Sequence, residues 1–348
     1  MKQSPVAKHI HYEGLAKHVS SQELHQYRQG LPQWQRWIPR LATVGWLIVF
    51  GLWGTGSVVA NPDQWPMIVG MIIVVGVGGS WLMWRAFRSA NIRTIRLARF
   101  AHSNGWRYER QSKQVLHQGM IFQIGHSRKV TNVISFAGTD QTVGFELGEY
   151  TYSTGSGKNR RTYWWTYCCV ELERNVPHMV LDSQHNNVRL FGKDIFSNLP
   201  ATFRKDQVIS LEGDFDKYFT LYAPTAYKRD AYYVFTPDLM ALLIDHSRSY
   251  DAEVIDNKVY FYAPSSGRQH LLLDPNAMYG WLRIINTVGM KVSRQTDYYA
   301  DETVGNRSAD TVASSGRRLR QGVSWVAIIV VAIIIILNII MSIHDIKQ

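Results

Sequence analysis

With 348 residues and only two cysteines, the neighbours Cys168 and Cys169, the chain excludes a disulfide framework and has room for one soluble domain beside membrane segments. Its formal charge is +11, yet residues 101–300 carry 22 Lys and Arg against 20 Asp and Glu, a net of +2, and most of the other +9 flanks apolar runs. A nucleic-acid binder concentrates positive charge on its folded domain, whereas charge beside apolar runs is a topology signal, so the expected partner is a lipid bilayer and no nucleic acid.

Residues 1–40 read as a polar, cytoplasmic N-terminal arm, which is not the layout of a simple secretory signal. Ser20 followed by Glu23 has the capping-box spacing of a helix start. His9, His11, His18 and His25 lack the clustered spacing of metal ligands and read as solvated. Trp34 and Trp37, just before Pro39 and Arg40, form an aromatic belt leading into a membrane span. Two apolar runs follow, Leu41 to Ala60 and Trp65 to Trp84, joined by Asn61-Pro62-Asp63. Each is about 20 residues, the length a helix needs to cross a bilayer core of roughly 30 Å, so 41–84 is predicted as a transmembrane helical hairpin. Gly51 with Thr55, and Gly76 with Ser80, have a spacing that permits close helix approach in lipid. They read as packing of the two spans on each other.

The basic juxtamembrane segment 85–100 carries Arg85, Arg88, Arg93, Arg96 and Arg99. On a continued helix all five fall within roughly 140° of the circumference, a stripe suited to anionic headgroups and a marker of the cytoplasmic side. Residues 101–300 read as a soluble domain. Strands are predicted over 119–125, 129–137, 142–153, 161–173 and 217–222, with the strand from Arg161 central and covered on both faces. Cys168 and Cys169 then point to opposite faces and read as packing residues. The chain is expected to loop from Pro177 to about Asn187. Thr236-Pro237 and Asp274-Pro275 open helices, the second ending at Gly289, and Asp256-Asn257 is expected to turn a tight hairpin. Residues 301–322 read as a flexible basic linker, 323–343 as a C-terminal span and 344–348 as a short tail outside. The fold class is α+β, a largely antiparallel sheet domain tethered by three transmembrane helices, with the N-terminus and soluble domain in the cytoplasm.

No constellation for chemistry survives inspection. Ser153-Thr154-Gly155-Ser156-Gly157-Lys158 lacks the earlier Gly and the following Ser or Thr of a phosphate loop. It reads as a hairpin tip with exposed Lys158, Arg160 and Arg161. Glu212, Asp214 and Asp216 lack calcium-loop spacing, and His246 beside Asp245 suits a helix C-terminus. No catalytic residue, cofactor or metal is expected. The candidate interaction surface is Lys158, Arg160 and Arg161 together with Arg85, Arg88, Arg93, Arg96 and Arg99.

Four stretches, Asn104 to Tyr108, Phe145 to Arg161, Phe215 to Phe219 and Tyr233 to Met240, carry a resemblance over roughly residues 65–290. There the chain resembles bacterial membrane-anchored proteins with an N-terminal hydrophobic hairpin and a cytoplasmic-type domain of unknown function. The resemblance implies that architecture and no activity or residue role. The function expected is a membrane-tethered cytoplasmic interaction or scaffold domain that binds a protein partner, a second copy or the membrane surface. The alternative is a membrane-bound enzyme or ligand sensor with its site in the soluble domain.

Overall fold

The computed structural model describes residues 2–6, 9–112, 117–190, 193–197, 199–265, 271–306, 308–322 and 335–336. The chain folds as a helical unit, His11–Gly105, and an α+β unit built from Met1–Ile10 and Trp106–Gln348.

The helical unit contains α1 (Glu13–Ala16), α2 (Ser21–Gly30), α3 (Gln33–Ala60) and α4 (Trp65–Ser103). The capping box forms. The Glu23 N–H donates to Ser20 Oγ at 3.1 Å, and the Ser20 N–H donates to Glu23 Oε2 at 2.8 Å. Val19 and Leu24 are buried against Ile95 of α4, so the arm from His11 onward folds onto that helix. Helix α3 starts at Gln33, well before Leu41, and carries Pro39 in its second turn. Helix α4 runs unbroken for 39 residues through both the apolar run and the arginine segment. Both helices are long and apolar enough to cross a membrane. Leu52, Val59, Met67 and Val74 stand exposed on their outer faces. The third span, 323–343, lies outside the described residues except for Ile335 and Ile336, so two candidate membrane helices are described, not three.

Glycines set the spacing of the hairpin. A Cβ on Gly54 would overlap Ile72, one on Gly79 would overlap the Trp46 ring, and Gly76 faces Leu47. Gly51 meets nothing, so the close approach uses other small residues than the Gly51–Thr55 pair.

The α+β unit contains β1 (Arg107–Gln111), β2 (His126–Phe136), β3 (Phe145–Thr154), β4 (Arg161–Ser183), β5 (Val188–Leu190), β6 (Lys193–Phe196), β7 (Val208–Ile209) and β8 (Phe219–Tyr222). It continues with α5 (Lys228–Val234), α6 (Pro237–Ser247), β9 (Asp251–Ser265), α7 (Pro275–Ile284), α8 (Met290–Thr296) and α9 (Ser314–Arg317). Seven strands form one antiparallel sheet in the order β1-β2-β3-β4-β8-β7, with β9 also paired to β4. The sheet is antiparallel, as expected, and the strand beginning at Arg161 is central. Tyr167 and Cys169 face Phe122 on one side, while Val170 meets Gly289 on the other.

Five expectations are corrected. Residues 119–125 make a 3-10 turn (Met120–Gln123) instead of a strand; Met120, Ile121 and Phe122 are all buried, which an alternating strand covered on one side would not allow. The chain does not loop at Pro177: β4 continues to Ser183, with Pro177 at a register shift where no ladder N–H is required. Asp256 has φ 52°, yet it makes a bulge within β9 and not a hairpin, because both halves of β9 pair with β4. Gly289 does not end a helix. A π turn, Ile285–Gly289, joins α7 to α8, and the missing Cβ, which would lie 2.9 Å from Val170, lets the turn rest on β4. The described residues of 301–322 are held against the α+β unit: Asp301 accepts from the Tyr227 hydroxyl and from the N–H groups of Thr303 and Ala313.

Replacing Gly79 by Leu forces the Trp46 ring out of the hairpin. Overpacking of this kind costs about 1–3 kcal/mol. The detergent-solubilised variant should unfold at a lower temperature than wild type, and Gly51→Leu should not.

Candidate functional site

Helix α4 places its arginines along one stripe, but they do different work. At the end of the apolar run, Arg85 lies over the Trp81 ring at 5.4 Å and Arg88 over Trp84 at 5.4 Å. On α3, Arg40 lies over Trp37 at 4.9 Å. Such cation–π stacking suits a boundary where one end of the side chain is apolar and the other wet. Further along, Arg96 donates to the Leu15 carbonyl, and Arg99 donates to the Lys17 carbonyl at 3.1 Å and pairs with Glu23 at 3.5 Å. Those two hold the arm; Arg93, between Arg88 and Arg96, is half-buried. The stripe is therefore a surface at Arg85 and Arg88 and a clamp at Arg96 and Arg99.

Between the end of α2, the start of α3 and the middle of α4 lies a cavity of about 560 Å³, lined in part by Arg28, Arg36, Arg40, Trp37, Trp84 and Asn91. The sequence signal for it was the Trp37–Pro39–Arg40 belt. Arg36 stands beside Trp37 in the sequence itself, whereas Arg28 reaches the belt only through the fold of α2.

Lys158, Arg160 and Arg161 are exposed at the β3–β4 tip of the α+β unit, where Gly155 and Gly157 take positive φ. Arg160 donates to Ser153 Oγ at 3.2 Å. Glu212, Asp214 and Asp216 are exposed. Asp214 pairs with Lys217 at 2.6 Å, and Asp216 accepts from the Leu211 N–H. Among the described residues, no group of three or more His, Cys, Asp or Glu is placed to hold a metal ion.

The sheet interior contains a polar network that sequence reading missed. Glu253, with no solvent exposure, accepts from His178 Nε2 at 2.8 Å, from the Met120 N–H at 2.8 Å and from the Tyr262 hydroxyl at 2.7 Å. His178 Nδ1 accepts the Leu319 N–H at 3.0 Å, so the ring proton resides on Nε2 and points to Glu253. Nearby, Glu146 accepts from His117 Nε2 at 2.8 Å and from the Tyr167 hydroxyl. Burial pushes the Glu146 carboxyl up. The hydrogen bond and charge of His117, the Tyr167 hydroxyl and the charge of Lys258 outweigh that and hold it below the ordinary value. Tyr260 joins the two groups, facing His117 Nδ1 at 3.3 Å and stacking on Tyr262. The available signal was charged residues recurring within strands otherwise rich in apolar side chains. Chemically, a fully satisfied carboxylate of this kind fastens segments together.

Glu253→Gln turns one acceptor oxygen into a donor facing donors, costing about 3 kcal/mol. The Leu319 segment should loosen, so trypsin should cut at Arg317, Arg318 or Arg320 faster than in wild type. Burial raises the Cys169 thiol to about 12 and holds the Cys168 thiol well above the usual thiol range. Neither thiol should be alkylated by iodoacetamide at neutral pH until denaturant is added; mass spectrometry counts the labels.

No family model matches the chain, and no curated protein does. Two apolar helices near the N-terminus and an α+β unit are compatible with a membrane-anchored architecture. Among solved structures, the crystal structure of the mycobacterial trehalose monomycolate transport factor A, TtfA, aligns over 58% of this chain and 90% of that one, at 12% identity and TM-score 0.35. At that score the likeness defines neither fold nor function.

Proposed function

We propose that the chain is a membrane-tethered interaction module. Helices α3 and α4 cross the bilayer as a hairpin, and a third span over 323–343 crosses again. The arm and the α+β unit stand in the cytoplasm, where they engage the membrane surface and a protein partner. One observation carries this reading. Helix α4 passes without a break from an outward-facing apolar run into a segment bearing Arg85 and Arg88 stacked on Trp81 and Trp84. Trp and Arg at the junction of apolar and polar helix are the signature of an interfacial boundary on the positively charged side. A ligand-sensing or enzymatic role for the α+β unit is the second reading, favoured by the His117–Glu146–Tyr167 group, whose carboxylate side chain keeps 30% of its exposure.

Membrane vesicles test the proposal. The full chain should resist alkaline carbonate extraction, and protease should digest the α+β unit in inside-out vesicles but not in sealed right-side-out ones. Release by carbonate, or digestion from the outer side, would overturn it.

A further inference from the structure

We infer that the cavity between α2, α3 and α4 is a binding site for the phosphate of an anionic lipid headgroup. The inference deepens the membrane reading and rests on it. Arg28, Arg36 and Arg40 line the cavity together with His25, and no Asp or Glu does. No carboxylate among the described residues pairs with any of the three arginines, whereas Arg99, deeper in the same unit, has Glu23. Three arginines lining one cavity without a carboxylate beside them favour an anion there, and guanidinium geometry matches phosphate oxygens. Two of them are already aimed. Arg36 Nε donates to the Leu31 carbonyl at 3.0 Å, and Arg40 is laid flat over Trp37. Each therefore gives up less freedom on binding than a loose surface arginine would.

The rest of the lining selects a lipid over a free anion. Trp37 and Pro39 on α3, and Trp84 and Phe87 on α4, form an apolar wall on the same cavity. These residues sit where the apolar runs of both helices begin or end, at the depth of the headgroup layer. Next to Arg40 on α3, Leu41 opens the apolar run and is exposed at 64%. Asn91, buried on α4, offers an amide to headgroup oxygens beside the arginines. The volume of about 560 Å³ is in the range of ordinary small-ligand sites.

The test uses the full chain in mild detergent, with phosphatidylglycerol or phosphatidylcholine added and retained lipid counted by native mass spectrometry. Wild type should retain one phosphatidylglycerol and no phosphatidylcholine. The triple variant Arg28→Gln, Arg36→Gln, Arg40→Gln should retain phosphatidylglycerol at least tenfold more weakly. The triple Lys variant at the same positions should keep most of the binding, which separates lost charge from lost fold. Lys205→Gln, Lys228→Gln, Arg229→Gln removes equal charge from exposed positions of the α+β unit and should bind as wild type does. Equal retention by the Gln triple and wild type would overturn the site. Displacement of the lipid by equimolar inorganic phosphate or glycerol phosphate would overturn the lipid as its source. Carbonate extraction of the same samples separates the two levels. A chain that resists carbonate but retains no phosphatidylglycerol refutes the pocket alone, and a chain that carbonate releases refutes the membrane reading beneath it.

Discussion

A carboxylate removed from water must be met by donors, and Glu253 is met by three from separate parts of the α+β unit. That requirement fixes where the Met120 turn docks on the sheet. It also fixes the tautomer of His178 and, through Nδ1, the course of the backbone at Leu319. None of these segments is adjacent in sequence, and two of them, the Met120 turn and the Leu319 segment, have no ladder position in the sheet. One buried charge thus does for these loops what strand pairing does for β4 and β9. Asp301 repeats the device earlier in the same C-terminal segment, with Tyr227 and two backbone N–H groups as donors.

The helical unit is organised by different means. Its two long helices come together because Gly54, Gly76 and Gly79 remove side chains where the opposing helix supplies Ile72, Leu47 and Trp46. In a lipid environment such fit, and not water exclusion, is what holds helices together. Beyond the apolar run the arm folds back, and water exclusion returns as the driving force through Val19, Leu24 and Ile95. The arginines of α4 record the change. Those beside tryptophans face outward, whereas those beside the arm are spent on its carbonyls and on Glu23.

Much of this was legible in the sequence. Length and hydropathy locate α3 and α4, and the alternating aromatic and β-branched residues locate β2, β3 and β4. The Ser20–Glu23 spacing forms the capping box it suggests. What was not legible depended on partners distant in the chain. Asp256-Asn257 does carry the positive φ that its residue types favour, but only the presence of β4 along both halves of β9 decides that it bulges instead of turning. Gly289 reads as a stop until Val170 is known to lie against it. The linker composition of 301–322 conceals Asp301, Val312 and Leu319, whose burial is set by what they meet. The stripe of five arginines was correctly placed on one helix, yet its division into surface and clamp required the arm.

The same distance effect explains why the basic cavity could not be read directly. Arg28 belongs to a short polar helix, and Arg36 and Arg40 to the opening turns of a candidate membrane helix. In sequence Arg36 and Arg40 lie one helical turn apart, and Arg28 stands away from them on another helix. Packing of α2 on α4 converts them into one wall, and it does so beside Trp37 and Trp84, which composition alone assigns to a membrane boundary. The charge distribution supports a division of labour under the proposal. Residues 101–300 are close to neutral, so headgroup attraction falls to the helical unit and leaves the broad sheet unit for contacts decided by shape. A module built this way would hold its lipid and its partner on different surfaces of one chain, and removal of the three cavity arginines would disturb the first without reaching the second.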